Sequence, residues 1–392
     1  MKTRVAIGAA AGSLILAGFH AVWAQAPVVP GDPLPGVSPR EFEEFRLGLE
    51  DFREIEEASE GLGPLFNGTG CASCHNVPVI GGGSPMTELR AGARDANGQF
   101  RIVGGTTLYQ LFSIPDHRCQ AVIPADATVV ARRMSIPLFG AGLIEGVPDG
   151  TLLALEDPFD RDRDGISGRA AIVTDVASGR RRVGRFGWKA QVATLLTFSG
   201  DAYTNEMGIT NDLFPGEPYG GISEARMREC DRLKDPEDVM DPRTGKRAID
   251  NFEAFMKFLA PVARGPITGE VRTGEQAFLA AGCASCHVPV LTTGAHEAAS
   301  LNRKTLALYS DLLLHDVATG DGIAQEAADP TEIRTPALWG LRLRRPLLHD
   351  GSAATADEAI RRHGGEGAAA VERYRGLIEP MRLALLAFLD SL

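Results

Sequence analysis

Aromatic residues are scarce, making up 6% of the 392 positions, with three tryptophans among them. A core this poor in rings must be filled by aliphatic side chains or by something that is not protein. Long apolar runs are nearly absent too: the one candidate lies at the N-terminus, so no multi-span membrane protein is encoded. Positive charge is in deficit, with 40 Lys and Arg against 51 Asp and Glu and a formal net charge of −11. That balance argues against nucleic acid and suits a basic protein partner. Disorder-prone and fibrous compositions are missing, since 44% hydrophobic and 23% charged is ordinary for folded domains. Gly81-Gly82-Gly83 and Gly104-Gly105 lack a strand–helix context, which removes nucleotide binding.

The 45 glycines and 24 prolines predict a loop-rich chain, a build that suits a large prosthetic group. At the N-terminus, Lys2 and Arg4 precede an apolar stretch from Val5 to Phe19 and small residues at Ala24 and Ala26. Residues 1–24 therefore read as a signal peptide, and the mature chain as periplasmic or secreted with no membrane span. A membrane anchor is the competing reading, disfavoured by the short run and its Ala-rich end. Removing Lys2 and Arg4 takes the formal charge from −11 to −13.

Six cysteines are present, and four lie in two copies of the pentapeptide CASCH, at 71–75 and 283–287. Attachment of a haem through two thioether bonds needs cysteines three apart, and the next histidine reaches the iron from the same loop. A zinc site or a redox dithiol does not explain a histidine directly after the second cysteine, twice. Cys71, Cys74, His75 and Cys283, Cys286, His287 thus predict two covalently bound haem c groups, with His75 and His287 as proximal ligands. The remaining pair, Cys119 and Cys230, suggests a disulfide in an oxidising compartment.

Ser38-Pro39-Arg40-Glu41 reads as a capping box with proline at the first helical position. Phe42, Phe45, Leu49, Phe52 and Ile55 follow at helical spacing, so a helix is predicted to run toward Gly61. Glu54, Glu56, Glu57 and Glu60 read as its solvated face. The informative organisation is an internal repeat: Phe66 and Phe278 each sit five residues before the first cysteine, and Val-Pro-Val follows at 77–79 and 288–290. The expected fold is mainly α with much irregular loop, two cytochrome c-like haem domains facing across an interface. The boundary falls after the helix of Phe252 to Leu259, giving an N-terminal haem domain at 25–262 and a C-terminal one at 263–392. Roughly residues 85–250 form a large insertion, expected to be irregular with short helices. A last helix, Met381 to Leu392, is expected to close the second haem crevice.

Function then depends on the sixth ligands, because six-coordinate iron passes electrons while an open position binds peroxide or dioxygen. Outside the CASCH motifs the mature chain offers His117, His296, His315, His349 and His363. His363 stands out at the end of the helical pattern that starts at Thr355. Asp160, Asp162 and Asp164, with Gly165 at the sixth position, resemble a calcium loop, but Ala171 stands where an EF-hand has its bidentate Glu. A calcium loop of another type is predicted, a solvated acidic turn being the alternative. Arg342, Arg344 and Arg345 could pair with haem propionates or lie on the surface.

His349-Asp350-Gly351-Ser-Ala-Ala-Thr followed by Glu358-Ala-Ile resembles a segment of bacterial di-haem cytochrome c peroxidases. The chain is still more similar to a subgroup, the di-haem c-type oxidoreductases related to those peroxidases. Its habits stand at Tyr309-Ser-Asp-Leu-Leu-Leu-His-Asp316, Arg334-Thr-Pro-Ala-Leu-Trp-Gly340, His363-Gly-Gly-Glu366, Gly184-Arg-Phe-Gly-Trp-Lys-Ala190 and Glu206-Met-Gly-Ile-Thr210. The resemblance runs from about residue 60 to the end. It implies that His363 is the sixth ligand of the C-terminal haem iron and that Trp188 bridges the haems, unless Trp188 is an ordinary core aromatic. It also implies a distal carboxylate, and on the stretch from Trp188 that position is Leu196. Glu145 is the preferred substitute for moving a proton, with Lys189 and Glu206 as further candidates. Met207 could instead close the N-terminal iron.

The expectation is an exported peroxidase-like oxidoreductase, with electrons moving from the C-terminal haem through Trp188 to an oxidant-binding N-terminal haem. Its partners would be a small redox protein and peroxide or dioxygen. An electron-transfer cytochrome with both irons closed is the alternative, and oxidative modification of a partner protein uses the same parts.

Overall fold

The computed structural model describes residues 28–392. The stretch read as a signal peptide lies outside them. Among the described residues no helix is long and apolar enough to cross a membrane.

The first helix, α1 (Pro39–Phe52), starts where its cap dictates: Glu41 N–H donates to Ser38 Oγ, and Ser38 N–H donates to the Glu41 carboxylate at 2.7 Å. It stops at Phe52, well short of Gly61. Beyond it Ile55 is exposed, and Glu56 is not on a solvated face: its buried carboxylate accepts a hydrogen bond from Tyr203 at 2.8 Å. The expected extension fails because that buried partner, not helical spacing, places residue 56.

The region 85–250 departs further from expectation. It carries an antiparallel sheet in which β1 (Thr87–Arg94) pairs with β2 (Phe100–Arg101), β3 (Leu108–Tyr109) and β4 (Val129–Met134). The register sets Glu88 opposite Arg133. Period-two patterning is hard to see here because Glu88, Arg90 and Arg133 turn inward and line a cavity. The helix α2 (Leu195–Met207), N-capped by Thr194, returns over the same cavity and ends at Gly208 with φ +72°.

Two helix pairs repeat the same construction. In the first, α1 crosses α3 (Ala248–Phe258) at Gly48, where a Cβ would stand 2.2 Å from the Asn251 carbonyl oxygen. In the second, α4 (Gly269–Ala280) crosses the C-terminal helix (Glu379–Leu389) at Gly274, where a Cβ would stand 1.8 Å from the Ala384 oxygen. Only glycine permits either approach. Each pair turns a phenylalanine toward a motif histidine: Phe52 lies 6.2 Å from His75 and Phe278 lies 6.3 Å from His287, between ring centroids. Phe52, then, and not Phe66, is the spatial counterpart of Phe278. Phe66 sits in a two-residue strand against Phe112. The larger apolar core gathers around the first pair, and a separate cluster around the second.

Candidate functional site

Each CASCH segment is a single turn of 3-10 helix at Cys71–Ser73 and Cys283–Ser285, opening onto its own cavity. Cys283, Cys286, His287 and His363 all line the C-terminal cavity, which has about 1320 Å³ of space not filled by protein. Cys71, Cys74 and His75 line the N-terminal one, with about 1630 Å³. The four motif cysteines are free, and burial pushes Cys71 up to about 12 and Cys74 and Cys283 to about 11. Thiols held protonated in this way are unlike the low-pKa pair of a redox dithiol.

The three histidines share one arrangement. Nδ1 of His75 bonds the Gly82 carbonyl at 3.0 Å, that of His287 the Tyr309 carbonyl at 3.0 Å, and that of His363 the Ala359 carbonyl at 2.7 Å. A carbonyl partner makes Nδ1 the protonated nitrogen and leaves the Nε2 lone pair for a metal. Burial lowers all three, His75 and His287 to about 4, so the neutral, ligating form prevails. For His287 the charge of His363 is the next cause, and both imidazoles line one cavity.

Whether a haem fits can be judged from two arginines, Arg334 buried and Arg344 half-buried. Arg334 lines both cavities and Arg344 lines the C-terminal one. Arg334 reaches only the carbonyls of Gly187 and Thr335, at 2.8 and 3.1 Å, while Arg344 leaves Nη2 buried without a partner. Burial lowers both to about 10, and for Arg334 the charge of Arg344 lowers it further. Two neighbouring guanidiniums without an acidic partner are costly unless an anion enters. A pair of haem carboxylates is such an anion, so the donor set fits. Arg342 and Arg345 do not belong here: Arg342 holds the Leu392 and Ala263 carbonyls, and Arg345 pairs with Asp390 on the surface.

Trp188 stands between the cavities and lines both. Its Nε1–H donates to the Met134 carbonyl at 2.7 Å, and the Arg344 guanidinium lies 4.9 Å from its ring centroid.

Two of the three residues expected to handle protons lie elsewhere. Lys189 is fully buried, with Nζ 3.1 Å from Asp321 and bonded to the Asp329, Pro330 and Glu332 carbonyls. Glu145 accepts from the backbone N–H of Leu195 at 2.8 Å and so caps α2. Neither lines the N-terminal cavity, and nor does Leu196; Leu195 does. Glu206 faces that cavity beside Met207, from the last turn of α2. Burial and then the charge of Glu88 push Glu206 up to about 8, while Asn67 donates to its carboxylate at 2.7 Å. Burial opposes ionisation of Glu88 as well, but Arg90, at 2.7 Å, holds it below the usual range. The two carboxyls thus share a proton near neutral pH. Asp201, raised to about 6 by burial, adds a third acid to the same wall. Glu88 and Asp201 escaped sequence reasoning, because only the folded sheet sets them beside Glu206.

Asp160, Asp162 and Asp164 bring carboxylate oxygens within 4.8 Å of one another on an exposed turn. Cys119 and Cys230 are joined in a disulfide with Cα atoms 6.1 Å apart.

A family model described as "Di-haem oxidoreductase, putative peroxidase" matches residues 116–392. Among solved structures, the diheme peroxidase BthA from Burkholderia thailandensis E264 is 14% identical, covering 94% of this chain and 89% of its own, with a TM-score of 0.43. Hydrazine synthase of Kuenenia stuttgartiensis is 16% identical over 98% of this chain and 100% of its own, at a TM-score of 0.42. A MauG-like protein associated with microbial copper homeostasis is 17% identical over 71% and 94%, at 0.32. No curated protein matches the chain significantly.

Proposed function

Because the chain belongs to the di-haem oxidoreductase family, we propose that it is a peroxidase-like enzyme with two covalently attached haem c groups. Cys71 and Cys74 would form the thioether bonds of one and Cys283 and Cys286 those of the other. His75 and His287 would be the proximal ligands, with His363 opposite His287. Bound there, the two haems supply one-electron storage and reduction of a small oxidant, electrons passing from the C-terminal site to the N-terminal one. Arg334 and Arg344 neutralise the carboxylates that this placement buries. Trp188 fills the wall between the sites and is the bridging residue. Glu206 takes a proton from the inner oxygen of peroxide and returns it to the outer one. Asn67 orients its carboxylate and Glu88 shares its proton.

One observation carries this reading: a second histidine, His363, lines the same cavity as His287, whereas a carboxylate with a raised pKa lines the cavity of His75. Met207 lines the N-terminal cavity too and supports the rival reading, a carrier with both irons closed. The ferric EPR spectrum of the purified holoprotein separates the two. One high-spin and one low-spin signal, with one equivalent of cyanide bound, are expected. Two low-spin signals would discard the enzyme and leave the carrier.

The remaining parts follow from the residues already described. Residues 1–24 act as an export signal, 25–262 and 263–392 form the two haem domains, and the enzyme works in the periplasm. A mature N-terminus at residue 25 in mass spectrometry is the check. The acidic surface suits a small basic redox protein as electron donor. Asp160, Asp162 and Asp164 hold a structural calcium ion.

A further inference from the structure

We propose that a buried charged clamp, His315 between Asp311 and Glu366, positions His363 over the C-terminal cavity and fixes the coordination of that site. The inference rests on His363 as sixth ligand and deepens that reading.

His363 is the C-cap of a helix of seven residues, Ala356–Arg362, too short to hold its own end in place. The chain then turns through Gly364-Gly365-Glu366 and docks on the segment that follows His315. Gly364 N–H donates to the Val317 carbonyl at 2.8 Å and Glu366 N–H to that of Asp316 at 2.9 Å. Gly365 has φ +48°, and a Cβ there would stand 2.3 Å from the Asp316 oxygen, so the approach requires glycine.

What the close approach achieves is the placement of Glu366. Its carboxylate accepts four hydrogen bonds: from Ser167 N–H at 3.0 Å and its hydroxyl at 3.2 Å, from Asp316 N–H at 3.1 Å, and from His315 Nδ1 at 2.7 Å. The other ring nitrogen of His315 donates to Asp311 at 2.8 Å. With both nitrogens donating to carboxylates, the ring is an imidazolium, and it is only 3% exposed. Space for it is left by Gly168, where a Cβ would stand 2.4 Å from Cε1.

The clamp also touches the motif segment that lines the same cavity. Asp311 N–H donates to the Cys286 carbonyl at 2.9 Å, and Cys286 Sγ lies 3.6 Å from His315 Nδ1. One charged network therefore ties the loop that carries His287 to the turn that carries His363. A buried ion triad is a poor source of net stability compared with apolar packing, but it is strict about geometry and fails sharply when one member is lost. Holding two axial residues in register is a use that matches this property. The stretches Tyr309–Asp316 and His363–Glu366 meet in space through this clamp.

Full-length holoprotein carrying Glu366→Ala or Glu366→Gln tests it, with His363→Ala as reference and retention of two porphyrins by mass as the folding control. Glu366→Ala is expected to turn most of the C-terminal low-spin EPR signal high-spin, with the N-terminal signal unchanged and added imidazole restoring the low-spin form. The isosteric Glu366→Gln, which keeps the volume if the alanine variant does not fold, is expected to show a mixture of the two. A wholly low-spin C-terminal signal at unchanged midpoint potential in these variants, when His363→Ala is high-spin, overturns the clamp. A low-spin signal in His363→Ala itself overturns the ligand reading on which the clamp rests.

Discussion

The two cavities begin with the same pentapeptide and end with opposite chemistry. At the C-terminal one, the lining includes a neutral histidine, His363, with Arg334 and Arg344, and the acids nearby are bound up in the triad of Asp311, His315 and Glu366. At the N-terminal one, the facing wall offers Glu88, Asp201 and Glu206 with Arg90. On the proposed reading the motif, then, decides only that a haem is held. What the haem can do is decided by chain that arrives from elsewhere: a C-capped turn in one case, a sheet and the end of α2 in the other.

Removing the carboxylate should break the contrast most strongly. Glu206→Gln is expected to lower peroxide turnover by about 10²- to 10⁴-fold, the usual worth of a positioned proton-transfer group. The low-spin signal of the C-terminal site should persist. In the parent enzyme the base form of Glu206 emerges as pH rises through about 8, so turnover should climb there and the Gln variant should lose that limb. The same raised pKa has a stability consequence. Its contribution is fully present below the ordinary glutamate pKa and is lost as pH rises through about 8. Thermal melts of parent and Gln variant should therefore converge or cross in that window. A flat turnover profile, or undiminished turnover in the variant, would remove Glu206 from the mechanism.

The halves also differ in their staples, since among the described residues the only disulfide closes a loop in the first. Its sequence separation of 111 residues predicts a stabilisation of about 2–5 kcal/mol. Calorimetry of Cys119→Ser/Cys230→Ser should show that loss in the transition that releases the N-terminal site. An equal shift in both sites would mean that the halves unfold as one unit.

Legibility differed between the cavities for a physical reason. Thioether attachment needs contiguous residues, so Cys71 to His75 and Cys283 to His287 are visible in any reading of the chain. The cap at Ser38 and the helix leading to His363 are local as well. The charged wall of the N-terminal cavity is not local. Glu88, Arg90 and Asp201 gain meaning only when β1 pairs with β4 and α2 folds back over them, and their charges hide the strand pattern that would have announced the sheet. Glu145 and Lys189 drew notice for the converse reason. Each is an ionisable group near the site in sequence, but one caps α2 and the other is held by Asp321. The signal that could have favoured Glu206 was its place just before Gly208, since a helix ending there must present its last turn to whatever it covers.

The smallest effect falls on Trp188, which with Arg334 lines both cavities. Trp188→Phe removes the hydrogen bond to the Met134 carbonyl, a change of about 0.5–1.5 kcal/mol, and weakens the contact with Arg344 by about 0.5–2 kcal/mol. If Arg344 pairs with a haem carboxylate as proposed, the fold and both spin states should survive. If Trp188 carries charge between the sites, partly reduced protein should re-equilibrate more slowly after rapid mixing, although each haem is ligated as before. If the rate is unchanged, the indole is only a wall between two cavities. The contrast between them would then rest on their ligands alone.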